Sequence, residues 1–343
     1  MENKTLIEID GSYGEGGGAI LRLSTALSAF TSKPVKIVNI RSKRPKPGLM
    51  PQHLNAVKAV ADLSRATVSG LEIGSTEVIF DPAHLSGGEY HVDIKTAGSI
   101  TLILQAFLLP AAFADGPVKI TVRGGTDVRW SPSVDYLENV NLPILRMMGY
   151  KAKTKLIRRG YYPRGGGIFE VDIGSISDMK PLKICGLQFK SINCISHATN
   201  LPRHVAERQA HSANKVLKQS GYGLKIEIEH SNNALGSGSG ILLWTDGVIP
   251  VAGSSTGEPG KSAEKVGIEA ANQILYHIKR QAALDRYMAD QIIPLIAAAG
   301  KSTVKTAELT PHTLTNIHVT EMFINKKIQV EGKLGDPGII KVE

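Results

Sequence analysis

The sequence predicts an α+β fold made of three repeated units, with a small α/β domain inserted late in the chain. One order of elements, an apolar helix of small residues followed by a strand, a loop and a second helix, recurs three times. Strands that alternate with helices in this way are typical of sheets covered by helices on one face. A long stretch does not follow the order and is of sufficient length for a domain of its own. The predicted boundaries are a large domain of 1–184 and 280–343, with repeats at about 1–96, 97–184 and 280–343, and an inserted domain of 185–279.

The first helix of each repeat is predicted over 20–30, 99–113 and 288–299, each followed by a strand. If Val35, Val118 and Val304 are equivalent strand positions, counting back 13 residues gives the polar residues Arg22, Gln105 and Gln291. Each lies in an otherwise apolar helix, and burying an unpaired polar group costs about 2–7 kcal/mol. We therefore expect the three side chains to face one shared polar feature.

The second helix of each repeat is predicted to begin at a proline, namely Pro51, Pro132 and Pro311. Proline suits the first helical position, and a preceding Ser or Thr is a good N-cap. Glycine turns then lead into strands over 86–94 and 164–173, which we assign to the ends of the first and second repeats.

The inserted stretch is predicted to contain a strand, a helix over 203–220, strands over 224–230 and 240–245, and a helix over 262–280. Residues 253–262 look like a phosphate-binding loop, but Ser255 replaces its first glycine and Pro259 removes an N–H group. We interpret this segment as a mobile loop.

Composition and charge exclude several classes of protein. The 343 residues carry a formal net charge of +9, so a polyanionic partner is expected. No apolar run approaches the roughly 18 residues that span a bilayer, and the first residues lack a signal-peptide core. Cys185 and Cys194 can supply neither a disulfide framework nor a zinc site. These features favour a cytoplasmic protein without a membrane segment, and they leave a homo-oligomer open.

Two segments are candidates for binding anions. The glycines at 14 and 16–18 lie between a strand and a helix start, where free N–H groups bind phosphate. Glu15 among them is explained if a divalent cation lies between carboxylate and phosphate, and otherwise it is an exposed residue of a turn. The basic segment 41–48, which contains Arg41 and Arg44 and precedes Gln52 and His53, is a proline-rich loop that either binds anions or is merely solvated.

His312 is the candidate nucleophile. It occupies the second position of a predicted helix, where the positive end of the helix dipole disfavours the imidazolium. A neutral imidazole is a competent nucleophile or base. The alternative is a surface histidine near a helix cap.

Eight segments in collinear order resemble the RNA 3′-terminal phosphate cyclase family. They are GSYGEGGGAILR (11–22), RSKRPKPGLMPQHL (41–54), AGSITLILQ (97–105), GGTD (124–127), YYPRGGG (161–167), LPRHVAER (201–208), MADQIIPL (288–295) and PHTLTNI (311–317). The resemblance implies three repeats, each like the C-terminal domain of a bacterial translation initiation factor, and one inserted domain. It also implies ATP and Mg²⁺ or Mn²⁺ as requirements, an RNA with a 3′-phosphate as substrate, and a histidyl–AMP intermediate.

The resemblance also implies residue roles. His312 is the nucleophile, Glu15 holds the metal, and Asp290 orients the histidine. Phosphates and the RNA end are held by Arg22, Arg41, Arg44, Gln52 and His53. The ATP site comprises Gln105, Pro132, Tyr287, Met288, Ala289, Asp290 and Gln291, with Tyr287 and Pro132 on either side of adenine.

The segment at 128–132 departs from the family pattern, because Arg129 and Trp130 stand where smaller residues are expected. Two other readings use the same fold. A non-catalytic relative that binds RNA in ribosome assembly would lack the nucleophilic histidine, and an enolpyruvyl transferase would need neither that histidine nor ATP.

Overall fold

The computed structural model describes residues 5–343 and contains three sheets of identical topology. In the first repeat, β1 and β2 run parallel and the sheet order is β1-β2-β4-β3, with antiparallel pairing elsewhere. Its elements are β1 (Ile7–Asp10), α1 (Gly18–Thr31), β2 (Val35–Val38), α2 (Pro51–Ser64), β3 (Thr67–Ser69) and β4 (Val78–Asp81). The predicted α+β class is confirmed.

The second repeat has the same strand order and directions. Its elements are β5 (Gly88–Asp93), α3 (Ile100–Ala111), β6 (Val118–Gly124), α4 (Val134–Tyr136), a π-helical turn (Leu137–Asn141), α5 (Leu142–Met147), β7 (Lys151–Arg158) and β8 (Gly167–Gly174). The assignment of β5 to the first repeat is wrong, because it pairs in parallel with β6 along its whole length. Pro132 does not begin a helix either, since Ser133 is the N-cap of α4 and accepts a hydrogen bond from the Tyr136 N–H at 3.2 Å.

The third repeat is interrupted after its first strand. Its elements are β9 (Lys183–Ile184), then the inserted β10 (Ile192–Thr199), α6 (His204–Gln219), β11 (Leu224–Ser231), β12 (Gly238–Thr245), β13 (Ala252–Thr256) and α7 (Ala263–Lys279), then α8 (Arg286–Gln291), α9 (Ile293–Ala299), β14 (Thr303–Thr306), α10 (Pro311–Phe323), β15 (Ile328–Glu331) and β16 (Gly338–Val342). The sheet order β9-β14-β16-β15 repeats the pattern of the other two. The insertion therefore separates β9 from α8.

The inserted elements have a hydrophobic cluster of their own, in which α6 and α7 pack against the sheet β11-β10-β12-β13. We propose that they form the inserted domain predicted from the sequence. The interpretation of 253–262 as a mobile loop is wrong at its start, where β13 pairs with β12. Gly253 is needed there, because a Cβ would lie 2.3 Å from the Ala270 carbonyl oxygen on α7.

The helices of the three repeats meet at α1, which packs against both α3 and α10. Small buried residues such as Ser24, Thr25 and Ser28 permit this close packing, and the Thr25 hydroxyl donates to the Leu21 carbonyl at 3.0 Å. This packing brings the start of α1, the middle of α3 and the start of α10 to one side of the large domain. No helix within residues 5–343 has both the length and the apolar character needed to cross a bilayer.

A buried ionic network joins the second repeat to the inserted elements. Arg159, 3% exposed, donates to Asp135 at 2.8 and 3.0 Å and to Asp127 at 3.2 Å. It also donates to Glu229 of β11 at 2.6 and 2.9 Å, and His197 of β10 lies 3.2 Å from Asp127. Burial alone would raise the pKa of Asp127. The nearby His197 and Arg159 outweigh this effect and hold the pKa well below its usual value.

Candidate active site

A cavity of about 620 Å³ lies where α1, α3, α8 and α10 meet β13 and α7 of the insertion. Seven of the predicted site residues line it, namely Arg22, Gln105, Pro132, Tyr287, Asp290, Gln291 and His312. The three polar residues at equivalent repeat positions, Arg22, Gln105 and Gln291, thus line the same cavity. A cavity of this volume is within the range of small-molecule sites.

Several polar atoms at the cavity are shielded from solvent without a hydrogen-bond partner. They are Arg22 Nε, Asn141 Oδ1, Asp290 Oδ1 and Asn316 Oδ1. Burial lowers the pKa of Arg22 to about 10, so its guanidinium remains charged at neutral pH. Buried polar atoms in native proteins are almost always paired, so unsatisfied ones at a cavity indicate a polar ligand.

Helix α8 presents one face to the cavity. Tyr287, Asp290 and Gln291 line the cavity at the i, i+3, i+4 spacing that places side chains on one side of a helix. Met288 and Ala289 are fully buried on the other side, with Met288 in the core cluster. The resemblance assigns these two residues to the ATP site as well, but the helical period turns their side chains away from this cavity.

Asp285 holds α8 in place from a fully buried position. Its Oδ1 caps the helix by accepting from the N–H groups of Tyr287 at 3.0 Å and Met288 at 2.9 Å. The same oxygen accepts from the Tyr136 hydroxyl at 2.7 Å, while Oδ2 accepts from the Ala252 N–H at 3.1 Å. One carboxylate thereby ties α4, β13 and the cavity-lining helix together.

We expect Asp285→Ala to destabilise the protein by about 3 kcal/mol, since it removes an N-cap and leaves buried donors unpaired. Binding of a ligand in the cavity should weaken in parallel, because the residues on α8 lose their anchor. Urea unfolding measures the first effect, and titration with ATP, the ligand expected from the sequence, measures the second. Asp285→Asn keeps an oxygen acceptor and should therefore lose less stability and less affinity. An Asp285→Ala variant as stable as the parent would contradict the role of Asp285 as the anchor of α8.

His312 lies at the second position of α10, after the N-cap Thr310 and Pro311. Its Nε2 lies 2.7 Å from Glu15 Oε2, and both side chains are partly exposed. Because a carboxylate only accepts, this contact places a proton on Nε2. The orienting contact expected from Asp290 is absent among the described residues, where the ring partner is Glu15 and Asp290 lies elsewhere on the cavity wall.

The carboxyl of Asp290 is nevertheless unusual. Burial raises its pKa to about 7, and the nearby Asp285 carboxylate adds to the effect. The Asp290 carbonyl accepts a hydrogen bond at 2.8 Å from Asn316 Nδ2, which links α8 to α10. Asp290 thus changes charge near neutral pH at the cavity wall.

A raised pKa in the folded state means that stability falls as pH rises from the usual carboxyl value of about 4 to about 7. Between pH 5 and pH 8, we expect the free energy of unfolding of the Asp290→Asn protein to rise by at least about 1 kcal/mol relative to that of the parent. Urea unfolding at both pH values measures this difference. The Asp81→Asn variant, at an exposed position, is the control, and its stability relative to the parent should not change with pH. If the relative stability of Asp290→Asn is equally independent of pH, the raised pKa of Asp290 is contradicted.

The glycine loop before α1 packs directly against α10. Gly14 has a positive φ of 56°, and a Cβ there would lie 2.4 Å from Thr315 Oγ1. Glycine at this position therefore lets the loop that carries Glu15 approach the helix that carries His312. The 2.7 Å contact between these two side chains depends on that approach.

The basic loop covers the glycine loop, but its cations divide into two groups. Lys43 donates from Nζ to the Gly14 carbonyl at 3.2 Å, and Arg44 lies so that a Cβ on Gly17 would be 3.1 Å from its guanidinium. Arg41 instead donates to two carbonyls of its own loop at 2.7 and 2.8 Å. Arg44 and Lys43 are therefore placed to meet an anion, whereas Arg41 shapes the loop.

Gln52 and His53 lie between the glycine loop and α3. Gln52 Oε1 accepts from the Ser99 N–H, the N-cap residue of α3, at 2.8 Å, which leaves the Gln52 amide donors for a ligand. Burial lowers the pKa of His53 to about 3, with Arg22 and Arg41 adding to the effect. His53 is therefore neutral and supplies hydrogen bonding rather than charge.

A divalent cation would have to be held mainly by Glu15 and by the phosphates of a ligand. Within residues 5–343, the group of three close metal-ligand side chains is Asp127, Asp135 and His197, and Arg159 already neutralises its carboxylates. Mg²⁺ is often bound by one or two carboxylates together with phosphate oxygens and water. The single carboxylate of Glu15 beside a glycine-rich loop fits that pattern.

Sequence reasoning missed several residues of the cavity. Asn316 lies four residues after His312 on α10, so helical spacing could have indicated it. Asn141 donates to Gln291 Oε1 at 3.0 Å from the π-helical turn, which no sequence pattern marked. The segment 254–256, interpreted from the sequence as part of a loop, also lines the cavity.

Comparison with known proteins gives a consistent result. Residues 13–330 match the family model described as RNA 3′-terminal phosphate cyclase. Proteins named RNA 3′-terminal phosphate cyclase are similar over 98% of this chain, with 50% identity in Pyrococcus furiosus (98% of that protein) and 49% in Methanothermobacter thermautotrophicus (100% of that protein). A protein of the same name from Methanopyrus kandleri is 49% identical over 98% of this chain and 99% of its own length.

Proposed function

Because the chain belongs to the RNA 3′-terminal phosphate cyclase family, we propose that it converts an RNA 3′-phosphate to a 2′,3′-cyclic phosphate by way of a covalent His312–AMP. One observation carries this proposal. His312 lies on the wall of the cavity that also presents Arg22, Gln105 and Gln291, and its Nε2 is 2.7 Å from Glu15.

In the first step the imidazole of His312 attacks the α-phosphorus of ATP. The bond from nitrogen to phosphorus forms, the bond to the bridging oxygen of the β-phosphate breaks, and pyrophosphate leaves. The ring proton on Nε2 has Glu15 as its acceptor at 2.7 Å. Arg22, Lys43 and Arg44 supply positive charge for the oxygens, since such preorganised donors stabilise developing negative charge.

In the second step an oxygen of the RNA 3′-phosphate attacks the same phosphorus and the bond to His312 breaks. The product is an RNA–ppA anhydride. In the third step the neighbouring 2′-hydroxyl attacks the 3′-phosphorus, loses its proton and displaces AMP. Activation is required because AMP is a far better leaving group than the oxygen of a phosphomonoester.

Glu15 is the residue that would hold Mg²⁺ or Mn²⁺, whose charge would offset that of the ATP phosphates. We place the base of ATP between Tyr287 and Pro132, because both residues line the cavity. The Tyr287 hydroxyl accepts from Gln273 Nε2 at 2.7 Å, so the ring is fixed before a base arrives. Gln105, Gln291 and Asn141 supply polar groups in the same space.

Incubation with α-labelled ATP and Mg²⁺ or Mn²⁺, without RNA, tests the proposal. The denatured protein should retain label that is labile in acid and stable in alkali, as a phosphoramidate is. Chelation of the metal should reduce the label. A protein that binds 3′-phosphorylated RNA yet takes up no label would instead favour a non-catalytic relative.

A further inference from the structure

Trp130 is a large apolar side chain left in water at the edge of the cavity. It is 92% exposed although it is among the residues that line the cavity. Its φ of 60° lies in the left-handed region, which is rarely adopted by bulky residues. Backbone of this kind persists only where surrounding contacts hold it, and it concentrates at functional sites.

The residues on either side of Trp130 are held by one contact with the insertion and by one contact within the loop itself. The preceding Arg129 makes a two-point ion pair with Glu258 of the insertion at 2.5 and 2.6 Å. Behind it, the Ser131 hydroxyl donates to the Val128 carbonyl at 3.1 Å. The indole has the Arg129 guanidinium 5.6 Å from its ring centre and otherwise keeps most of its surface open to solvent at the edge of the cavity.

The position of the indole indicates the kind of chemical group that it contacts. The inner cavity offers polar groups and the Tyr287 ring to one nucleotide, whereas the mouth offers an exposed aromatic face. Under the proposed function, the RNA 3′-phosphate must reach the adenylate on His312 from outside, and Trp130 is an exposed aromatic residue of the cavity that His312 lines. Bases of single-stranded nucleic acids stack on aromatic side chains in protein grooves.

We propose that Trp130 stacks on a base at the 3′ end of the RNA substrate and so positions the terminal phosphate; this inference rests on the proposed function. Arg129 cannot read base edges while it is paired with Glu258. Recognition by stacking is tolerant of sequence, because every base has a π face. Stacking on Trp130 therefore requires a base at this position but discriminates little between the four bases.

Fluorescence tests stacking without any need for catalysis. The chain contains two tryptophans, so Trp244→Phe leaves Trp130 as the sole tryptophan, whose emission is excited selectively at wavelengths that tyrosine does not absorb. A short oligoribonucleotide with a 3′-phosphate should quench this emission, and the same oligonucleotide with an abasic 3′ nucleotide should quench far less. Quenching by ATP alone would overturn the proposal and make the indole a cover for adenine, and a lack of quenching by bound RNA would also overturn it.

Kinetics provide the second test. In Trp130→Ala the RNA concentration for half-maximal cyclisation should rise about tenfold, the order expected for loss of one stacked base, and Trp130→Phe should restore most of it. Tyr162→Ala removes an aromatic that is 79% exposed but lies outside the cavity, and it should change nothing. An unchanged RNA dependence in Trp130→Ala contradicts the inference. If His312 takes up no label while RNA still quenches Trp130, the proposed chemistry fails and the stacking stands.

Discussion

Replacement of His312 by alanine is expected to lower cyclisation of a 3′-phosphorylated RNA by on the order of 10³-fold or more, as for loss of other covalent nucleophiles. The imidazole lies at the cavity wall beside Glu15, and no other histidine among the described residues lines this cavity. A rate assay with labelled RNA at saturating ATP measures the loss.

The same variant should still cyclise an RNA supplied as the preformed RNA–ppA anhydride, because the third step needs no bond to His312. The exposed His91→Ala, on β5 and away from the cavity, is the matched control and should keep full activity. Residual cyclisation of the 3′-phosphorylated RNA near the parent rate would show that another group carries the adenylate. Failure on the preformed anhydride as well would contradict this prediction and give His312 a role in the last step.

Replacement of Arg159 by methionine is expected to destabilise the fold by about 3–5 kcal/mol, because removal of one partner leaves buried charges uncompensated. The guanidinium pairs with Asp127, Asp135 and Glu229, and the first two are almost fully buried. The loss should separate the insertion from the second repeat. Urea unfolding measures the loss of stability, and limited proteolysis measures how far the insertion becomes accessible.

Arg158→Met changes the neighbouring residue, whose side chain donates to the Gly166 carbonyl and has no carboxylate partner among the described residues, and should cost far less. Since the pKa of Asp127 is held low in the folded state, the network stabilises the protein at neutral pH and loses this effect as pH falls below about 4. The difference between Arg159→Met and the parent should therefore shrink in acid. A difference that grows in acid, or a loss no greater than that of Arg158→Met, contradicts the role of the network.

The repeat architecture could be read from sequence because each repeat keeps the same polar position in its first helix. Arg22, Gln105 and Gln291 lie together for that reason. The sequence could not show to which repeat β5 belongs. Its alternating pattern predicts a strand but does not identify the strand with which it pairs, which is β6.

The ionic network escaped prediction for a different reason. Arg159 and His197 are 38 residues apart in the chain, and neither belongs to a local pattern. Arginine is seldom buried, and only tertiary packing places three carboxylates around Arg159. The contact of His312 with Glu15 rather than Asp290 likewise depends on how the glycine loop packs on α10.

The central claim is that the side chain of His312 carries AMP. The most direct measurement is peptide mass spectrometry on protein incubated with ATP and Mg²⁺, digested and kept at alkaline pH. The account predicts one modified peptide, with the mass of an adenylyl group assigned by fragmentation to His312. An adenylyl group on a lysine or on another histidine, or unmodified peptide alone from protein that actively cyclises RNA, would contradict it.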